Sequence, residues 1–129
     1  MGLFQWGEFT SHSGKELSFK LECDVLTQSD WECVASMVDE LSLPFSEVYG
    51  VPRGGIKLAQ ELEQYKKPHV HRLLIVDDVL TTGASMTSAK QKFLDKYTDR
   101  EICGAVLFSR AATPSWIRPV FFLAGRLYA

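Results

Sequence analysis

The chain has 129 residues, of which 46% are hydrophobic and 23% charged, with a formal net charge of −2. These values predict a single domain, 1–129, able to bury a core without disulfides or metals. The slight negative charge argues against a general nucleic-acid or membrane-surface binder, which carries a large positive excess. Cys23, Cys33 and Cys103 are odd in number and form no C-x-x-C pair, so they read as reduced thiols of a cytoplasmic protein. The start, MGLFQWGEF, has no basic n-region, and Trp6 stands where a myristoylation motif needs Ser or Thr. No apolar run approaches membrane-spanning length.

In chain order, residues 1–26 read as a hairpin region, with Ser13-Gly14-Lys15 as the turn between two short extended pieces. Thr27–Asp30 offers helix N-caps. Trp31, Val34, Ala35, Val38 and Leu41 then recur at helical spacing, and Pro44 closes the segment. Glu47–Val51 reads as a short strand running into Pro52-Arg53-Gly54-Gly55, and Ile56–Tyr65 as a helix. Leu73–Val76 is a continuous apolar run, the mark of a strand buried on both faces of a parallel sheet. A loop at Asp77–Gly83 precedes a helix from Ser85 to about Tyr97. Ile102–Phe108 and Val120–Leu123 are further strands. Alternating strands and helices predict an α/β fold with ligands at the carboxyl ends of the strands.

The chemistry concentrates in Leu73–Ser85, LLIVDDVLTTGAS. Two carboxylates, Asp77 and Asp78, appear where the apolar run ends. At the edge of a core they are costly unless satisfied, and a vicinal diol satisfies them by donating from each hydroxyl. The next turn, Thr81-Thr82-Gly83-Ala84-Ser85, is small and rich in hydroxyls, and it opens a helix whose N-terminal N–H groups can ring a phosphate. Diol recognition beside phosphate recognition describes a ribose 5-phosphate. A P-loop needs Lys after the glycine, and the dinucleotide fingerprint G-x-G-x-x-G is absent. A response-regulator receiver matches only as far as Asp78, and no Asp lies beyond Asp99 to serve as its phosphoacceptor.

This segment resembles the phosphoribosyl-pyrophosphate (PRPP) motif of the type I phosphoribosyltransferases. Tyr49–Gly55 is similar to the pyrophosphate loop of the orotate phosphoribosyltransferase branch. Gly7-Glu8-Phe9-Thr10 with Ser13-Gly14 is similar to that branch's N-terminal hood. The chain as a whole looks like the short phosphoribosyltransferases of bacteria and phages. The resemblance implies a mostly parallel twisted sheet flanked by helices, a small hood, and a shortened or missing catalytic lid, because only Lys66–Arg72 separates Tyr65 from Leu73.

It also implies transfer of the 5-phosphoribosyl group from PRPP to a pyrimidine or orotate-like base, with release of pyrophosphate. Asp77 and Asp78 would hold the ribose hydroxyls. Thr81, Thr82, Gly83, Ala84 and Ser85 would hold the 5-phosphate, and Pro52, Arg53, Gly54 and Gly55 the pyrophosphate. Mg²⁺ would be held through substrate and water near the two acids. Arg110, Trp116, Lys20 and His12 are candidates for the base site, and a homodimer is expected. Lys66, Lys67, His69, His71 and Arg72 are candidates to replace part of the lid, across a dimer interface or within one chain. His69 and His71 lack an evident third ligand for a metal. The alternative is a non-catalytic PRPP or nucleotide sensor.

Overall fold

The computed structural model describes residues 2–10 and 16–123. Two strands come first, β1 (Phe4–Thr10) and β2 (Glu16–Leu21), paired antiparallel. The Ser13-Gly14 turn expected between them lies outside the described residues. A 3₁₀ turn at Cys23–Val25 leads into α1 (Gln28–Leu41). That helix starts with a reciprocal cap. The Asp30 N–H donates to Thr27 Oγ1 at 3.1 Å, and the Thr27 N–H donates to the Asp30 carboxylate at 2.9 Å. Trp31, Val34, Ala35 and Val38 are buried as their spacing predicts, whereas Leu41, at the helix end, is exposed.

The remaining elements are β3 (Glu47–Gly50), α2 (Ile56–Leu62), β4 (Arg72–Leu80), α3 (Ala84–Lys96), β5 (Glu101–Ser109) and β6 (Ile117–Phe122). The last four strands form one sheet in the order β3-β4-β5-β6, every pair parallel. The fold is therefore α/β, as the alternation of elements predicts. Two of the boundary differences from the sequence reading bear on the site. β6 begins at Ile117, three residues earlier than Val120. β4 runs on past Val76 to Leu80, so the two acids lie inside the strand rather than in a loop after it. Pairing with β5 continues through Asp77↔Val106 and Val79↔Phe108, so the ladder outlasts the apolar run.

Strand alternation sorts the sheet into two faces. Leu74, Val76, Ala105 and Leu107 pack against α1 and α2 through Val34, Ala35, Val38, Leu58 and Leu62. Leu73, Ile75, Val106 and Ile117 pack against α3 through Met86, Ala89 and Phe93. The crossovers through α2 and α3 step across the sheet in the same direction, yet their helices cover opposite faces. They are therefore of opposite hand, although about 98% of such crossovers are right-handed.

The connection from α2 to β4 is short. A 3₁₀ turn at Glu63–Tyr65 is followed by residues 66–71, with no strand among them. Lys66 pairs with Glu63 at 3.0 Å. The Arg72 guanidinium donates to Glu101 at 2.8 and 3.1 Å and to the Pro44 carbonyl at 2.6 Å, which ties the start of β4 to its surroundings. At about 3.3 Å per residue, Arg72 stands roughly 17 Å along the strand from Asp77. The basic stretch thus sits at the amino end of the sheet, and within one chain it does not cover the acids. No helix among the described residues is long and apolar enough to cross a membrane.

Candidate functional site at the carboxyl ends of the strands

Asp77 and Asp78 are neighbours in a strand, so alternation sends their side chains to opposite faces. Asp77 shares a face with Leu73 and Ile75 and lines a cavity of about 130 Å³ with Val79, Leu80, the 81–85 loop and Met86. That is below the roughly 300 Å³ at which pockets for drug-sized ligands begin, and it suits a phosphate-sized group rather than a whole nucleotide. Asp78 turns the other way. An added Cβ on Gly54 would stand under 3.0 Å from its carboxylate carbon and both oxygens. The pair therefore links two loops: Asp77 faces Thr81–Ser85, and Asp78 lies against the glycine of Pro52-Arg53-Gly54-Gly55.

The two carboxylates remain close to one another. The Asp78 N–H donates to Asp77 Oδ1 at 2.8 Å, and the Val79 N–H donates to Asp78 Oδ1 at 2.7 Å. Burial, a side-chain hydrogen bond donated to Asp78 and the Asp78 charge push the Asp77 carboxyl well above the usual carboxylate range.

The 81–85 loop is arranged as its composition predicts. Gly83 has φ of 84°, the left-handed region that glycine enters without a Cβ penalty, and it caps α3. Its carbonyl accepts from the Thr87 N–H at 2.9 Å, the first full turn of the helix. The Ala84 N–H donates to Thr82 Oγ1 at 3.3 Å, so this hydroxyl is turned toward the helix start. The first N–H groups of α3 have no intrahelical acceptor and point toward the loop side. Met86, buried beneath, forms part of the cavity wall.

The second loop is only partly as expected. The Gly55 N–H donates to the Val51 carbonyl at 2.8 Å and is spent inside the loop. Pro52 has no N–H to offer. Of the four residues expected to hold pyrophosphate, Arg53 has an exposed side chain, and the Arg53 and Gly54 N–H groups donate to no acceptor among the described residues. Gly55 has a different job: a Cβ there would run into the Val76 carbonyl and the Val51 N–H, so its absence lets the loop lie against β4. The Pro52–Arg53 peptide is cis.

The base-site candidates separate. Arg110 stands at the rim, where its N–H donates to the Leu80 carbonyl at 2.9 Å, one residue before the hydroxyl-rich loop. Ser109, fully buried, closes the same corner by donating from its hydroxyl to the Ala111 carbonyl. Trp116 does not join them. It precedes Ile117, which pairs with Gly104 in the middle of β5, and its ring lies against Gly104 under the Lys90 ammonium, 4.6 Å from the ring centroid. This is packing beneath α3, and the cause is the early start of β6: the strand carries Trp116 to the wrong end. Lys20 lies on β2 opposite Gln5. His12 lies outside the described residues.

The sequence reading has Cys23 as a reduced thiol but does not place it near the acids. Burial first, and then the negative charge of Asp78, push its thiol up to about 12, so it is a neutral thiol packed near the acids on the α1 side. Spacing carried no sign of this, because the 3₁₀ turn at Cys23–Val25 is brought to the sheet by tertiary contacts alone. Val79 and Leu80 were also unmarked, as apolar residues between the acids and the hydroxyls.

Neither a family model nor a curated protein matches the sequence. Solved structures do match. The orotate phosphoribosyltransferase of Aeropyrum pernix is 20% identical with a TM-score of 0.74, over 98% of this chain and 91% of its own. The orotate phosphoribosyltransferase of Mycobacterium tuberculosis H37Rv is 21% identical with a TM-score of 0.69, over 94% and 90%. A hypothetical protein of Neisseria gonorrhoeae with bound ppGpp is 13% identical with a TM-score of 0.55, over 76% and 81%. With its parallel sheet, its acid pair between two loops and these neighbours, the chain has the fold of the type I phosphoribosyltransferases.

Proposed function

We propose that the protein transfers the 5-phosphoribosyl group of PRPP to a nucleobase and releases pyrophosphate. One observation carries this: adjacent acids on opposite faces of β4 meet the hydroxyl-rich loop on one side and Gly54 on the other. A ligand seated on that pair has one anionic end in the 81–85 loop and another at Arg53–Gly54, with a diol between. PRPP has this order of groups.

The chain's residues divide the work. The Thr81, Thr82 and Ser85 hydroxyls and the α3 N-terminus bind the 5-phosphate. Asp77 and Asp78 accept from the ribose hydroxyls, and binding a diol replaces the proton held near Asp77 with two donors. Arg53 and the Gly54 N–H hold the pyrophosphate as negative charge builds on it. The bond from C1 to pyrophosphate breaks as a base nitrogen bonds to C1, so positioning and charge stabilisation supply the rate and no protein nucleophile is needed. A hard-oxygen donor set of two carboxylates and substrate phosphates suits Mg²⁺ held largely through substrate and water. Among the described residues no group of three His, Cys, Asp or Glu forms a cage, so substrate oxygens would complete the shell. When bound, Mg²⁺ would neutralise the pyrophosphate charge against the two acids.

An orotate-like pyrimidine is the acceptor this reading favours, with Arg110 as its anion partner at the rim. The three free cysteines accord with a reducing cytoplasm. A homodimer remains part of the proposal, because the lid candidates Lys66 and Arg72 reach a catalytic site only from a second chain. A second reading, a nucleotide-binding regulator, draws on the ppGpp-bound Neisseria protein of the same fold.

Incubation of labelled PRPP and Mg²⁺ with orotate, uracil, adenine or hypoxanthine separates the two. Pyrophosphate release with one base, abolished in Asp77→Asn with Asp78→Asn, supports transfer. PRPP binding without turnover on any base supports the regulator; absence of PRPP binding overturns transfer, and absence of both PRPP and ppGpp binding overturns the regulator as well.

A further inference from the structure

Ser109 ends β5 directly after the apolar run Ala105–Phe108 and is 0% exposed, the one buried polar side chain among the described residues. Taking a hydroxyl out of water is costly unless it is hydrogen-bonded. This hydroxyl is bonded twice, and both bonds go to one residue. It donates to the Ala111 carbonyl and accepts from the Ala111 N–H at 3.3 Å. A serine that bonds the backbone two residues on closes a local turn. The residue at the apex of this turn is Arg110.

Both ends of the turn are anchored. Ser109 stands in β5 opposite Leu80 of β4 and Phe122 of β6, and its carbonyl accepts from the Leu123 N–H at 2.9 Å. Ala111 packs against the core on the α3 side. Between them, the Arg110 N–H donates to the Leu80 carbonyl at 2.9 Å. Leu80 lines the cavity with Asp77, and the hydroxyl-rich loop follows it. The Arg110 backbone is therefore held by β4 through its own N–H, by β5 through Ser109 and by the core through Ala111. The strand ladder uses only the backbone of residue 109, so the buried hydroxyl serves the turn alone.

We propose that Ser109 is a positioning residue: its hydroxyl holds the turn so that Arg110 meets the polar edge of the acceptor base at a fixed point on the rim. This rests on the transferase reading, with Arg110 as the anion partner of the base, and names the residue that sets that contact. Ser109 reaches the ligand only through Arg110, which separates this role from a general structural one. Residues in one hydrogen-bond network couple by roughly 2- to 150-fold.

The test is a double-mutant cycle on the full-length protein with Mg²⁺. Titration calorimetry reads ribose 5-phosphate and the orotidine, uridine, adenosine and guanosine 5-monophosphates. Ser109→Ala is expected to weaken the tightest nucleotide by about fivefold or more and to leave ribose 5-phosphate within about twofold. Arg110→Ala is expected to show the same selective loss. Ser109→Ala added to Arg110→Ala is then expected to cost less than about twofold more, because the side chain that the hydroxyl positions is already gone. Where Ser109→Ala does not fold, Ser109→Cys, close in volume and only a weak donor, takes its place with the same expectations.

Nucleotide affinity in the Ser109 variant equal to wild type removes the role. Equal loss for nucleotide and ribose 5-phosphate overturns it too, since the hydroxyl then supports the fold or the phosphate loop. So does a loss that is as large in the Arg110→Ala background as in wild type, because Ser109 then acts on something other than Arg110. If Arg110→Ala alone leaves every nucleotide at wild-type affinity, the base contact fails and the positioning role with it, while the phosphoribosyl reading stands. If wild type binds no ribose 5-phosphate, the transferase reading itself fails.

Discussion

Gly54 and Gly55 are neighbours in one loop, and the structure predicts that alanine at each does a different kind of damage. Neither has positive φ, so alanine meets no backbone penalty and only contacts decide. At Gly54 all three nearest atoms belong to the Asp78 carboxylate and would lie under 3.0 Å from the new methyl. Ordinary contact begins at 3.4 Å, so the carboxylate must retreat by roughly 1 Å, which a side-chain rotation allows. The fold then loses little, about 1 kcal/mol. The acid that should receive a ribose hydroxyl is displaced, and misplacements of this scale cost about 100-fold in rate. At Gly55 the obstructing atoms are the Val76 carbonyl and Val51 backbone, which cannot rotate away. Here the cost falls on folding, about 3 kcal/mol. Urea denaturation beside PRPP calorimetry reads both quantities. Gly54→Ala with wild-type PRPP affinity and turnover, or a larger loss of stability than Gly55→Ala, would refute the contact argument.

Asp77 gives a pH prediction. Its folded pKa is raised from 3.8 to about 8, so the folded protein holds a proton that the unfolded chain has already released between those values. The stability contribution is intact at acidic pH and lost as pH rises from about 4 toward about 8. Denaturation of the metal-free protein should show this decline, and Asp77→Asn should flatten it; an unchanged slope in the variant counts against the buried pair. Gly83→Ala meets open space, the nearest atom being Leu80 Cδ1 at 4.0 Å, but forces φ of 84° on an L-residue. It should cost about 1–2 kcal/mol by denaturation and weaken phosphate binding. Trp116→Ala should destabilise by about 3 kcal/mol while leaving nucleotide affinity unaltered, since the ring packs on Gly104. A selective loss of nucleotide binding would return Trp116 to the base site.

Local chemistry made the strand–turn–helix around Thr81–Ser85 readable in one dimension. An apolar strand, two acids, hydroxyls and a glycine that must enter the left-handed region are consecutive, and their roles depend on backbone geometry within a few residues. That α1 is capped within Thr27–Asp30 was readable for the same reason. What lies between strands was not. That Asp77 and Asp78 face different loops follows from the strand persisting to Leu80, and that persistence comes from pairing with β5. Gly55 reads as a ligand donor until its N–H is seen to be spent on Val51. Trp116 is an aromatic near the end of the chain, and only the register of β6 decides that it packs beneath α3 and not at the rim. The basic stretch from Lys66 to Arg72 had the charge for a lid, but the direction of β4 carries it to the far end of the sheet. Short-range patterns specify a turn because the interacting atoms are covalently close. Which distant residues share a site depends on strand order, register and direction, which are properties of the folded sheet.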